Sequence, residues 1–253
     1  MSNLQPHIRC TTEDAAPYAI LPGDPQRVER IKEFLTDVKD IAFNREHKSI
    51  SGYYKGVKVM AVSTGMGGPS TAIAVEELAR IGVKAMIRIG SCGALRTGIA
   101  LGDLVIVNGA VRDDGASKSY VDACFPAIPD TELLFHVIQA AETKNYPYHV
   151  GIGRSHDALY FDPKQDLDEF WGKRGVIGSD METATLFVVG GLRGVKTASI
   201  LNNVVEVAGN LEEEINHYVD GASAVAEGEK REIVTALEAL VALDHAQASG
   251  GTL

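Results

Sequence analysis

The chain has 253 residues, 34 acidic against 24 basic, for a formal net charge of −10, which excludes a surface built to hold nucleic acid or an acidic membrane. With 45% hydrophobic and 23% charged residues and a mean hydropathy of zero, it can bury an ordinary core and is not disordered by composition. Its apolar stretches are shorter than the ~18–20 residues that cross a bilayer, and the N-terminal MSNLQPHIRC lacks an apolar signal core, so a cytoplasmic location is expected.

The first predicted strand covers 18–22 and ends in the turn Gly23-Asp24-Pro25, followed by an amphipathic helix over 26–35. Segments 48–54 and 57–63 alternate as strands around Lys55-Gly56, a hairpin. A glycine-rich stretch, 64–70, leads into a helix over 71–81, which Ser70 is placed to cap. A buried strand at 85–89 runs into Gly90-Ser91-Cys92-Gly93, and 103–111 is another strand. Then come a helix over 131–144, a strand at 148–153, an apolar helix at 183–191, a strand at 196–201 and a closing helix over 229–246. Strands alternate with helices, with no fixed-period repeat or linker, so one α/β domain over 1–253 is expected, with 1–6 and 247–253 flexible.

The 26 glycines carry the first functional signal. They cluster at 21–25, 63–70 and 89–93, at strand ends where α/β folds collect ligands. Gly23 with Arg27 one turn later can grip an oxyanion, although a tight turn with a surface arginine is the favoured reading of these residues alone. Arg88 sits inside the apolar strand Met86-Ile87-Arg88-Ile89. A buried guanidinium needs an anion, either a ligand or a structural carboxylate. With the Ser91 hydroxyl and adjacent amides, Arg27 and Arg88 would complete a phosphate cradle. Neither G-x-G-x-x-G nor a P-loop is present. Asp180-Met181-Glu182 opens the apolar helix; its carboxylates are simple caps or, for Glu182, acceptors for a sugar diol. The three cysteines, Cys10, Cys92 and Cys124, have no metal-ligand spacing and read as free thiols.

Together, Leu21-Pro22-Gly23-Asp24-Pro25-Gln26-Arg27, Ser63-Thr64-Gly65-Met66-Gly67-Gly68-Pro69-Ser70, Arg88-Ile89-Gly90-Ser91-Cys92-Gly93 and Met181-Glu182 resemble signatures of the nucleoside phosphorylases, the purine nucleoside and uridine phosphorylase superfamily. Asp114-Gly115-Ala116-Ser117 and Phe125-Pro126-Ala127 lean toward the uridine enzymes. The resemblance implies a three-layer αβα fold around a mixed, partly barrel-like sheet. It also implies phosphorolysis of a nucleoside to free base and ribose 1-phosphate, with no metal or organic cofactor and inorganic phosphate as co-substrate. Carried over by position, Gly23, Arg27, Arg88 and Ser91 bind phosphate, while Met66, Met181 and Glu182 hold the ribose. Arg45 and His7 reach a neighbouring subunit's phosphate and 5′-hydroxyl, making a dimer the minimal unit and a hexamer the usual assembly.

The base site departs from the pattern. Where uridine phosphorylases present a Gln and an Arg, this chain has Pro163 and Gln165, after Leu159 and Tyr160, and these three side chains (159, 160 and 165) are the base-binding candidates. Purine enzymes use an acid after the late strand; Glu206 lies at or beside that place, with Lys164 or His217 nearby. Three readings therefore stand: a uridine-type phosphorylase, a purine phosphorylase with Glu206 as acid, and a nucleoside-binding protein without turnover.

Overall fold

The computed structural model describes residues 4–160, 164–207, 216 and 223–249, the side chains of 164, 165 and 223 excepted. Their strands are β1 (Tyr18–Pro22), β2 (Thr36–Asn44), β3 (His47–Tyr54), β4 (Val57–Val62), β5 (Ala85–Ala94), β6 (Leu104–Asp113), β7 (Tyr148–His156), β8 (Val176–Asp180) and β9 (Lys196–Val205). They form a mixed sheet of order β2-β3-β4-β1-β5-β8-β7-β6-β9. A further pairing of β5 with β9 closes the last five strands into the barrel-like part. This is the expected mixed, partly barrel-like architecture.

The helices are α1 (Pro25–Ile31), α2 (Gly68–Arg80), α3 (Gly115–Tyr120), α4 (Thr131–Thr143), α5 (Lys164–Gly172), α6 (Thr183–Leu192) and α7 (Ser223–Ala248). Alternate residues of the central strands feed two apolar cores. Leu21 and Met86 pack in one with Leu78 of α2 and Phe187 of α6. Ile20, Ile87 and Ile89 pack in the other with Val28 of α1, Val137 of α4 and Leu237 of α7. A strand buried on both faces reads as a continuous apolar run, which is why β5 was legible. The period of two also puts Arg88 on the Met86 side, toward α6.

The structure corrects four local expectations. Ser70 does not cap α2: the helix starts at Gly68 behind Gly67 at φ 88, and the Ser70 hydroxyl donates to Glu46 Oε1 at 2.7 Å. β2 was missed because it is an edge strand, largely exposed and without apolar alternation. The five-residue β8, Val-Ile-Gly-Ser-Asp, was missed although it is buried throughout. The closing helix begins at Ser223, six residues before the expected 229.

The 114–125 segment is pinned locally. Asp114 accepts from the Ser117 amide at 2.6 Å and from Thr185 Oγ1 at 2.9 Å, and Arg112 donates to the carbonyls of Val121, Asp122 and Phe125. Cys10, Cys92 and Cys124 are free thiols, the first two buried. No described helix is long and apolar enough to cross a membrane.

Candidate active site

β1 lies parallel to both β4 and β5, with Leu21 opposite Arg88 and Pro22 opposite Ile89, so the three glycine clusters meet at one edge. The Thr64 amide donates to Pro22 O at 2.9 Å and the Gly65 amide to Gly23 O at 3.0 Å. These strand ends floor a cleft of about 620 Å³, a size suited to a small-molecule ligand. A Cβ on Gly90 would fall 2.5 Å from Nη2 of Arg88, so only glycine lets that guanidinium fold back over the strand.

At one end of the cleft α1 starts on a strong signal: Asp24 caps it by accepting from the Gln26 amide at 2.8 Å, and Pro25 occupies the first turn. Arg27, 3% exposed, is thereby turned inward. Its Nε meets Glu229 Oε2 at 3.0 Å and its Nη1 lies 3.1 Å from Glu232 Oε1, both on α7. Arg30 also pairs with Glu229 and reaches Asp24 at 3.2 Å. Gly23, Gly90 and Ser91 line the same end.

Arg88 finds two carboxylates: its Nε is 2.9 Å from Asp180 Oδ2 and its Nη2 is 2.6 Å from Glu182 Oε2. Burial opposes the charged guanidinium, but Glu182 and Asp180 outweigh it and raise its pKa. Burial raises the Glu182 carboxyl above its ordinary range despite the pull of Arg88. The two acids meet different partners. Asp180 does the capping, accepting from the Thr183 amide at 2.9 Å and from Ser155 Oγ at 2.6 Å. Glu182 faces the cleft, accepts from the Gly67 amide at 2.6 Å and so ties the starts of α2 and α6 together. Met66, 86% exposed, and Met181 flank it. An exposed methionine beside a cleft is an apolar surface for a ligand to cover.

His156, Leu159, Ser179, Val204 and Val205 also line the cleft. Eight expected residues thus share one cleft: Gly23, Arg27, Met66, Arg88, Ser91, Leu159, Met181 and Glu182. Tyr160 is 69% exposed and outside the lining, and Glu206 is exposed just past β9. Arg45 stands exposed in the β2–β3 turn at φ 55, and His7 is held by Glu77 at 2.7 Å through Nδ1; neither lines this chain's cleft. The side chains of Lys164 and Gln165, and residues Pro163 and His217, lie outside the described residues. Sequence reasoning missed His156, Glu46 and Ser70 in the lining, and Glu229 and Glu232 behind it.

A family model described as the phosphorylase superfamily matches residues 17–237. The chain is 41% identical over 209 residues to a uridine phosphorylase of Thermococcus kodakarensis, covering 78% of this chain and 76% of that protein. It is 39% identical over 207 residues to a guanosine phosphorylase of Halorubrum lacusprofundi, covering 82% and 84%. A crystal structure of uridine phosphorylase from Vibrio fischeri superposes with a TM-score of 0.89 at 43% identity, covering 94% of this chain and 96% of that one.

Proposed function

The chain belongs to the phosphorylase superfamily, and from that premise we propose that it cleaves the glycosidic bond of a nucleoside with inorganic phosphate, uridine-type nucleosides being preferred. The observation that carries this reading is the convergence of Arg27, Arg88 and Ser91 with Met66, Met181 and Glu182 in one cleft. The uridine preference is supported by the relatives named uridine phosphorylase and by the Asp114–Ser117 and Phe125–Ala127 segments.

In this reading phosphate lies at the Gly23, Arg27, Arg88 and Ser91 end, held as a dianion by two guanidinium groups in a site shielded from water. Glu182 accepts hydrogen bonds from the ribose 2′- and 3′-hydroxyls, and Met66 and Met181 pack against the sugar. A phosphate oxygen forms a bond to the anomeric carbon as the bond to the base nitrogen breaks, and that electron pair leaves with the base. Held on the face opposite the base, the dianion stabilises the positive charge that develops on the sugar, and fixed geometry removes the entropy of a two-body encounter. Arg88 binds both the Glu182 carboxylate and phosphate, so it sets the two substrates at a fixed separation. The base occupies the end lined by His156 and Leu159, with Tyr160 and Gln165 nearby in the chain. Inorganic phosphate is the only co-substrate in this scheme. Arg45 and His7 serve a neighbouring copy's site, and the exposed Phe43 beside Arg45 supports a contact at that hairpin, so the active unit is at least a dimer.

A second reading, purine phosphorolysis with Glu206 protonating the leaving base, is favoured by the relatives named guanosine and purine nucleoside phosphorylase. A panel of uridine, thymidine, inosine, guanosine, adenosine and methylthioadenosine, assayed with and without phosphate, separates them. Fastest base release from uridine supports the first reading, and fastest release from a purine nucleoside, slowed by Glu206→Gln, supports the second. Failure of every nucleoside to react, with binding retained, identifies a binding protein without turnover.

A further inference from the structure

Behind the phosphate end, the structure holds a buried acid that the proposed reaction leaves without a task. Glu232 of α7 is wholly withdrawn from water. Its Oε2 accepts from the Gly90 amide at 3.1 Å. Its Oε1 lies 3.1 Å from Arg27 Nη1 but receives no aligned hydrogen bond. With Glu229, which meets the same guanidinium through Nε, it clamps the two elements that present Arg27 and Gly90 to the cleft.

The local charge balance makes this acid more than a clamp. Among the described residues, three guanidinium groups, Arg27, Arg30 and Arg88, stand against five carboxyl groups, Asp24, Asp180, Glu182, Glu229 and Glu232, linked to them by ion pairs. A dianion entering a site already rich in carboxylates meets repulsion unless one of them gives up its charge. The charged and titratable groups bearing on Glu232 are Arg27 from α1, Arg88 and the Cys92 thiol from β5, and Glu229 from α7 itself. Burial, against the pull of Arg27 and with a smaller push from Glu229, raises the Glu232 carboxyl to about 8. It is thus poised to change charge near neutral pH.

We propose that Glu232 is a positioning residue of the phosphate site, holding Arg27 and the Gly90 amide in place and taking up a proton from solvent as the phosphate dianion enters. The inference rests on the phosphate-binding reading above. A dianion accompanied by one proton adds a single negative charge to the site instead of two, so affinity for phosphate falls as pH rises beyond the Glu232 value.

Calorimetric titration of the full chain with inorganic phosphate tests this, run near pH 8, where free phosphate is already the dianion, in two buffers of different ionisation enthalpy. The expected result is uptake of about half a proton per phosphate bound, and a Kd that weakens by up to about tenfold per pH unit above that point. Glu232→Gln removes the uptake and flattens the pH dependence; Glu229→Gln, which takes away a carboxylate that raises Glu232, moves both to lower pH without abolishing them. Phosphate binding without proton uptake by the unaltered protein overturns the inference, with no variant needed. Uptake that persists in Glu232→Gln also overturns it. No phosphate binding at all instead refutes the phosphate-site reading beneath it.

Discussion

Arg88 Nη2 lies 2.6 Å from Glu182 Oε2, and both side chains are almost entirely withdrawn from water. The pair joins the group proposed to hold phosphate to the group proposed to hold ribose. Arg88→Ala leaves Asp180 and Glu182 buried without their counter-charge, and we predict a loss of about 3–5 kcal/mol in unfolding free energy. Glu182→Ala leaves Arg88 paired with Asp180, so its stability cost is smaller, but kcat/KM for the nucleoside falls by about 10²-fold or more. Denaturant melts and steady-state kinetics on the two variants check the contrast.

Arg27 is the second guanidinium of the proposed phosphate site. Arg27→Met is predicted to raise the KM for phosphate by about tenfold or more while changing the KM for nucleoside much less. Equal changes in both constants would place Arg27 outside the phosphate site.

The Gly90 backbone is in contact with Arg88. An added Cβ would come within 2.8 Å of the guanidinium carbon, and the two ion pairs leave that side chain little freedom to retreat. Gly90→Ala is therefore predicted to cut kcat/KM by about 10²-fold through misplacement of Arg88. A structure of the variant with Arg88 unmoved and activity intact would contradict this.

His156 is buried at the close of β7, a strand that β5 and β8 separate from β1 in the sheet, and it lines the cleft with Leu159. Leu159 and the two valines of β9 there offer only apolar surface. His156→Ala is predicted to raise the KM for nucleoside by about tenfold and to leave the KM for phosphate unchanged, because a base edge loses its polar partner.

A prediction away from the cleft concerns Glu238 of α7, which takes Lys55 Nζ at 2.7 Å, Lys144 Nζ at 2.9 Å and the Tyr54 hydroxyl at 3.0 Å. Burial opposes its ionisation, but these hydrogen bonds outweigh burial and hold its carboxyl below the ordinary range. A depressed carboxyl contributes stability above its unfolded value and loses it as pH falls through the folded one. Glu238→Gln should therefore cost about 1 kcal/mol at neutral pH, with the difference from the parent closing below about pH 4. Thermal melts across that window decide it.

The legible parts of this chain were those written in local residues. The apolar runs of β1 and β5, each broken by glycine at the ligand edge, announced both the strands and the site, and Arg88 within such a run announced a buried anion. β2 was illegible because an exposed edge strand has no core face to pattern it. Glu232 was overlooked because its significance lies in a contact with Gly90 across 142 positions, which no window of sequence displays. The base end was least legible for a related reason: its lining comes from β7, β8 and β9, and His156 gains meaning only where those strands meet.

In the proposed reaction phosphate is the nucleophile. Phosphorus NMR of the protein with uridine and inorganic phosphate tests it directly. Uracil release is expected to be matched one for one by ribose 1-phosphate and to stop when phosphate is withheld. Free ribose formed at the same rate without phosphate would contradict it.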